Sequence, residues 1–109
     1  MTQTAQEKQD SQVIAKTIRQ QLGGRRFTVM TGAKNYCAHE AGLSMRIPGR
    51  TKSKINYLKI LLLDDDTYSM EFGRIWGNKY TVVKMIEGGV YCDQLQRIFT
   101  ETTGLDTYL

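Results

Sequence analysis

Apolar and polar positions change period several times along this chain, and each change predicts an element. Ile14, Ile18 and Leu22 recur every four residues, with Val13 beside them and Lys16, Arg19 and Gln20 on other faces. That spacing predicts an amphipathic helix over 11–22. Asp10 or Ser11 is placed to cap its free N–H groups, and Gly23 and Gly24 offer a left-handed stop. Residues 1–9 hold almost nothing that can pack. A solvated arm over 1–10 and a single domain over 11–109 are therefore expected.

After the glycines the period becomes two. Phe27 and Val29 alternate with Thr28 and Met30, which predicts a strand over 25–31. Gly32-Ala33-Lys34-Asn35 interrupts it. Leu43, Met45 and Ile47 alternate with Ser44 and Arg46 in a second strand, ended by Pro48 and Gly49. A polar, basic loop over 48–54 leads to a third strand over 55–63, apolar on both faces of its second half and so expected to be central. Asp64-Asp65-Asp66 reads as a turn. Tyr68, Met70 and Phe72 mark a fourth strand running towards Trp76, and Gly77-Asn78 is a two-residue hairpin signal. A fifth strand over 80–86 is broken by Gly88-Gly89. Leu95, Ile98 and Phe99 return to helical spacing, with Gly104 and Leu105 forming a glycine stop and its hydrophobic contact. The expected fold is α+β in the order α-β-β-β-β-β-α, an antiparallel five-stranded meander with flanking N- and C-terminal helices. Phe27, Phe72, Trp76 and Phe99 are expected in its core.

Composition supports a folded domain: 109 residues, 40% hydrophobic and 24% charged, with one proline. The longest apolar run, 60–63, is far too short to span a bilayer, so no membrane partner is expected. Residues 1–10 contain no apolar stretch of the kind a secretory signal needs. The two cysteines, Cys37 and Cys92, cannot form a disulfide framework, and a cytoplasmic location fits them best.

Catalytic chemistry finds little support. Cys37-Ala38-His39 places a thiol near the only imidazole, in what reads as a loop, and His39 is a candidate base for a Cys37 thiolate. No oriented acid or helix N-terminus accompanies them. Cys37, His39 and Cys92 lack zinc spacing, and Asp64 to Asp66 lacks the pattern of a calcium loop. Thr31-Gly32-Ala33-Lys34-Asn35 is not a P-loop, because Asn35 stands where Ser or Thr should follow the lysine. It reads as a turn or bulge in which Gly32 takes a positive φ, or as a contact loop. The expectation is a protein that is not an enzyme and has no cofactor and no metal.

Charge is unevenly distributed on a chain of net +4. Arg25, Arg26, Lys34, Arg46, Arg50, Lys52 and Lys54 fall between the first helix and the third strand, where Glu40 is the one acid. Together with Asn35 and Tyr36 they form the candidate partner- or nucleic-acid-binding set, expected to gather on one face. Cations tracking phosphates beside accessible rings such as Tyr36 and Tyr57 suit single-stranded nucleic acid. The same stripe suits an acidic or nucleic-acid-facing protein surface, and it also suits charge that protects a strand edge.

The run Arg26-Phe27-Thr28-Val29-Met30-Thr31-Gly32-Ala33-Lys34-Asn35 resembles the opening motif of a family of small proteins encoded by phages, prophages and plasmids. So do Ile55-Asn56-Tyr57-Leu58-Lys59-Ile60, the segment 68–72, and Tyr91-Cys92-Asp93-Gln94-Leu95 with Phe99-Thr100 and Thr103-Gly104-Leu105. The resemblance covers nearly everything after Gln20 and implies a genomic setting rather than an activity. Short non-catalytic proteins of mobile elements commonly act by occupying a target. The leading expectation is an inhibitor of a host nucleic-acid-guided defence complex, of the anti-CRISPR type, acting through the basic surface. The alternatives are a direct single-stranded DNA- or RNA-binding accessory protein and a small structural or oligomerisation module.

Overall fold

A computed structural model describes residues 5–48 and 51–105, with side chains placed from residue 12 onward except for that of Lys52. Two helices open the chain, α1 (Ala5–Leu22) and α2 (Arg25–Thr31). Five strands follow: β1 (Lys34–His39), β2 (Gly42–Arg46), β3 (Tyr57–Leu62), β4 (Tyr68–Trp76) and β5 (Lys79–Val90). Helix α3 (Leu95–Thr103) closes the fold. The strands lie in one antiparallel sheet in sequence order, β1-β2-β3-β4-β5, so the α+β meander is as expected. No helix among the described residues is long and apolar enough to cross a membrane.

Helix α1 begins at Ala5, ahead of the start expected at 11, and Asp10 and Ser11 lie inside the helix instead of capping it. Its end is as expected. The Gly23 amide donates to the Gln20 carbonyl and the Gly24 amide to that of Arg19, the paired bonds of a Schellman stop, with Gly23 at φ 127.

The strand expected over 25–31 is instead α2. Phe27 and Thr31, one helical turn apart, are the residues it buries. The Phe27 ring meets Phe99 of α3 edge-on at 4.9 Å between centroids, and the Thr31 hydroxyl donates to the Phe27 carbonyl at 2.6 Å. Burial of that ring and bonding of the threonine hydroxyls override the β-like alternation of the segment. Gly32, at φ 73, ends α2 by donating to the Thr28 carbonyl. Residues 34 and 35, expected in an interruption, and 37–39, expected in a loop, belong instead to the missing first strand.

Alternation sorts the sheet into two faces. Leu43, Met45, Leu58, Ile60, Met70 and Phe72 point to one side and are buried with Ile18 and Leu22 of α1 and Leu95 and Phe99 of α3. The helices cover this side only, and the Tyr68 hydroxyl ties sheet to helix by donating to Gln21 Oε1 at 2.8 Å. Asn56 extends the β3–β4 pairing beyond the strand: its side-chain amide donates to the Ile75 carbonyl at 2.9 Å and accepts from the Ile75 amide at 2.7 Å. Gly77, at φ 62, sits at the first position of the predicted β4–β5 turn. Gly88 and Gly89 do not end β5; they form a bulge within it, and the Gly89 amide donates to the Thr67 hydroxyl. Trp76 is 72% exposed and lies outside the core, because the β4–β5 hairpin runs on beyond the helical layer.

Candidate functional site: the uncovered face of the sheet

The second face of the sheet carries no helix among the described residues, and its register brings distant residues into rows. One row crosses all five strands: Lys34 pairs with Arg46, Arg46 with Tyr57, Tyr57 with Gly73, and Gly73 with Val82. At about 4.8 Å per strand the row spans roughly 19 Å. The next row holds Cys37, Ser44, Lys59, Glu71 and Met85. Cations therefore occupy the β1–β3 side, and apolar and aromatic groups, with the Glu71 carboxylate among them, the β3–β5 side.

Gly73 sets the geometry of the aromatic half. A Cβ there would lie 2.3 Å from the Tyr80 ring, which therefore occupies the space directly above the glycine. Tyr80 reaches past Gly73 to donate its hydroxyl to Glu71 Oε2 at 2.5 Å, and its ring meets that of Tyr57 in a T-shaped pair at 5.4 Å between centroids. Burial and the Glu71 acceptor push the Tyr80 phenol well above its ordinary pKa, so it stays a neutral donor. Even so pinned, Tyr80 is 44% exposed, leaving its outer face to solvent.

The expected single basic face is divided. Lys34 and Arg46 stand together on the uncovered side. Arg25 and Arg26 project from α2, and Lys54, at φ 55, lies in the 3-10 turn (Lys52–Lys54) that packs near α3; all three belong to the helical side. Lys52 shares that turn, its side chain lies outside the described ones, and Arg50 lies outside the described residues altogether. Asn35, at φ 55, is the extra residue of a bulge in β1. Tyr36 faces the helices: it shares a 2.6 Å hydrogen bond with Thr28, and the Arg19 guanidinium sits 4.4 Å above its ring. Both groups brace the β1 edge.

Cys37 and His39 lie on strand β1 rather than in a loop. His39 Nε2 shares a 2.7 Å hydrogen bond with Ser44 Oγ, so this imidazole nitrogen engages the serine and not the thiol. Burial, and secondarily Lys59, hold the His39 pKa below its usual value. Ser44 is itself buried beneath its neighbours, closed to a substrate. Among the described residues no three His, Cys, Asp or Glu side chains converge as metal ligands.

Sequence reasoning missed Lys59, Glu71, Gly73 and Tyr80. The alternation in β3 and β4 carried a signal for the first three, since Lys59, Glu71 and Gly73 share the parity of Tyr57 and oppose the apolar positions. A one-residue bulge between the Phe72 and Gly73 pairs shifts β5 and conceals Tyr80. Compared with protein-family models, curated proteins and solved structures, the chain matches none.

Proposed function

We propose that this chain is a non-enzymatic binding protein of a mobile element, and that its uncovered sheet face holds single-stranded nucleic acid. The observation that carries this reading is the row Lys34, Arg46, Tyr57 and Tyr80-over-Gly73. Cations at one end neutralise phosphates, and a flat ring held from beneath offers a stacking surface to a base. Antiparallel sheets backed by helices and carrying exposed rings bind single strands by this division of labour. Tyr80 is pinned before any ligand arrives, which reduces the ordering cost of association.

The strand is either free or displayed by a host nucleic-acid-guided complex, the second source being how such a protein inhibits defence. A fluorescent oligothymidylate, titrated in increasing salt, tests the shared chemistry. With Lys34, Arg46 and Lys59 engaged, log affinity should fall against log salt with a slope of about −2. No binding at low salt refutes the reading. Inhibition of a guided nuclease that disappears in Tyr80→Ala identifies the complex as the source; oligonucleotide binding without inhibition identifies free strands.

A further inference from the structure

Helix α2 has a second, independent surface on the opposite side of the molecule. Phe27 and Thr31 turn inward, and Thr28 is engaged with Tyr36. Arg25, Arg26, Val29 and Met30 remain, spaced one turn apart in pairs so that all four share the outward face. They line a cavity of about 400 Å³, and Val29 at its rim is 70% exposed. The helix itself is firmly seated by the Phe27–Phe99 contact and by Gly32, whose missing Cβ would fall 2.8 Å from Pro48. This apolar patch is therefore a fixed feature of the surface.

Its charge specifies a partner. No Asp or Glu occurs between Asp10 and Glu40, whereas Lys16, Arg19, Arg25, Arg26 and Lys34 all do. Among the described residues neither Arg25 nor Arg26 forms an ion pair. Among the described residues the cavity's lining is the two arginines with Val29 and Met30, which offer no ring for a base to stack on. Guanidinium groups pair with carboxylates through two parallel hydrogen bonds.

We propose that the outward face of α2 docks an acidic peptide segment of a protein partner, which seats a bulky apolar side chain between Val29 and Met30 and sets carboxylates on Arg25 and Arg26. The apolar side chain is the anchor, and the arginines steer and orient the segment. This site does not depend on the nucleic-acid reading of the sheet.

Selection of a random peptide display library on the full chain tests it. Enriched peptides should combine several Asp or Glu with one large apolar residue. A synthetic consensus peptide should lose about tenfold or more in affinity on Arg25→Glu/Arg26→Glu and on Val29→Asp, and nothing on Tyr80→Ala. Unchanged melting temperatures establish that the variants fold; should either melt early, Arg25→Ala/Arg26→Ala replaces it, with the same loss expected. Absence of enrichment, enrichment of peptides without acids, or binding indifferent to both sets of substitutions overturns the proposal.

Discussion

Replacing Gly73 by alanine separates the role of the Tyr80 platform from the stability of the sheet. Gly73 is not among the positive-φ residues, so its backbone accepts a side chain without strain. The new methyl would stand 2.3 Å from Tyr80 Cε1, 2.5 Å from its hydroxyl oxygen and 2.6 Å from Cζ. Carbon atoms in contact prefer about 3.5–4.0 Å, so the ring must move outward by roughly 1–1.5 Å. That motion pulls the hydroxyl from Glu71, a half-exposed bond whose loss costs folding on the order of 1 kcal/mol. Loss of a stacked base costs about 1–3 kcal/mol in binding, or roughly 5- to 150-fold in affinity. Fluorescence anisotropy with an oligothymidylate and a thermal melt measure the two effects on one sample. Gly73→Ala should weaken binding as much as Tyr80→Ala does, and the double variant should be no weaker than Tyr80→Ala alone. Native affinity in Gly73→Ala, or additive losses in the double variant, refutes the argument that the glycine acts through the ring.

Other substitutions report on the fold. Phe99→Ala empties the site that holds Phe27 and should destabilise by about 3–5 kcal/mol in chemical denaturation, whereas exposed Trp76→Ala should change stability by less than about 0.5 kcal/mol. Gly32→Ala forces a side chain into a left-handed backbone and against Pro48, and should cost more than about 1 kcal/mol by the same assay. His39 should make the fold acid-sensitive. Its pKa is lowered in the folded state, so the unfolded chain binds the extra proton, and the stability present above about pH 6.5 is lost as pH falls towards the folded value. Melting curves across that range should show a decline that His39→Gln reduces; an identical decline in the variant contradicts the assignment.

The meander was legible because its strands are neighbours in sequence and its turns carry Asp64 to Asp66 and Gly77-Asn78. Two segments exchanged roles. Residues 25–31 hold β-branched and aromatic types in alternation, yet seven residues with a single deeply buried ring are satisfied equally by two helical turns. Residues 34–39 lack an apolar stripe, because an edge strand needs only Tyr36 and Ala38 facing the helices. The candidate site was half legible. Lys34, Arg46 and Tyr57 could be named from type and setting, but proximity in sequence is not proximity in space, and chain position could not show that Arg25 and Arg26 stand behind the sheet. Tyr80 emerges only from cross-strand register, a long-range property that two bulges in β5 alter without any periodic mark.

Helices α1 and α3, far apart in sequence, meet on the back of the sheet. Hairpins can zip locally, but the apolar side they create is fully covered only when α1 and the nine-residue α3 have both settled onto it. A nascent chain stopped at residue 94 would hold all five strands and still lack Leu95 and Phe99 of the core, so the fold cannot close before α3 is made.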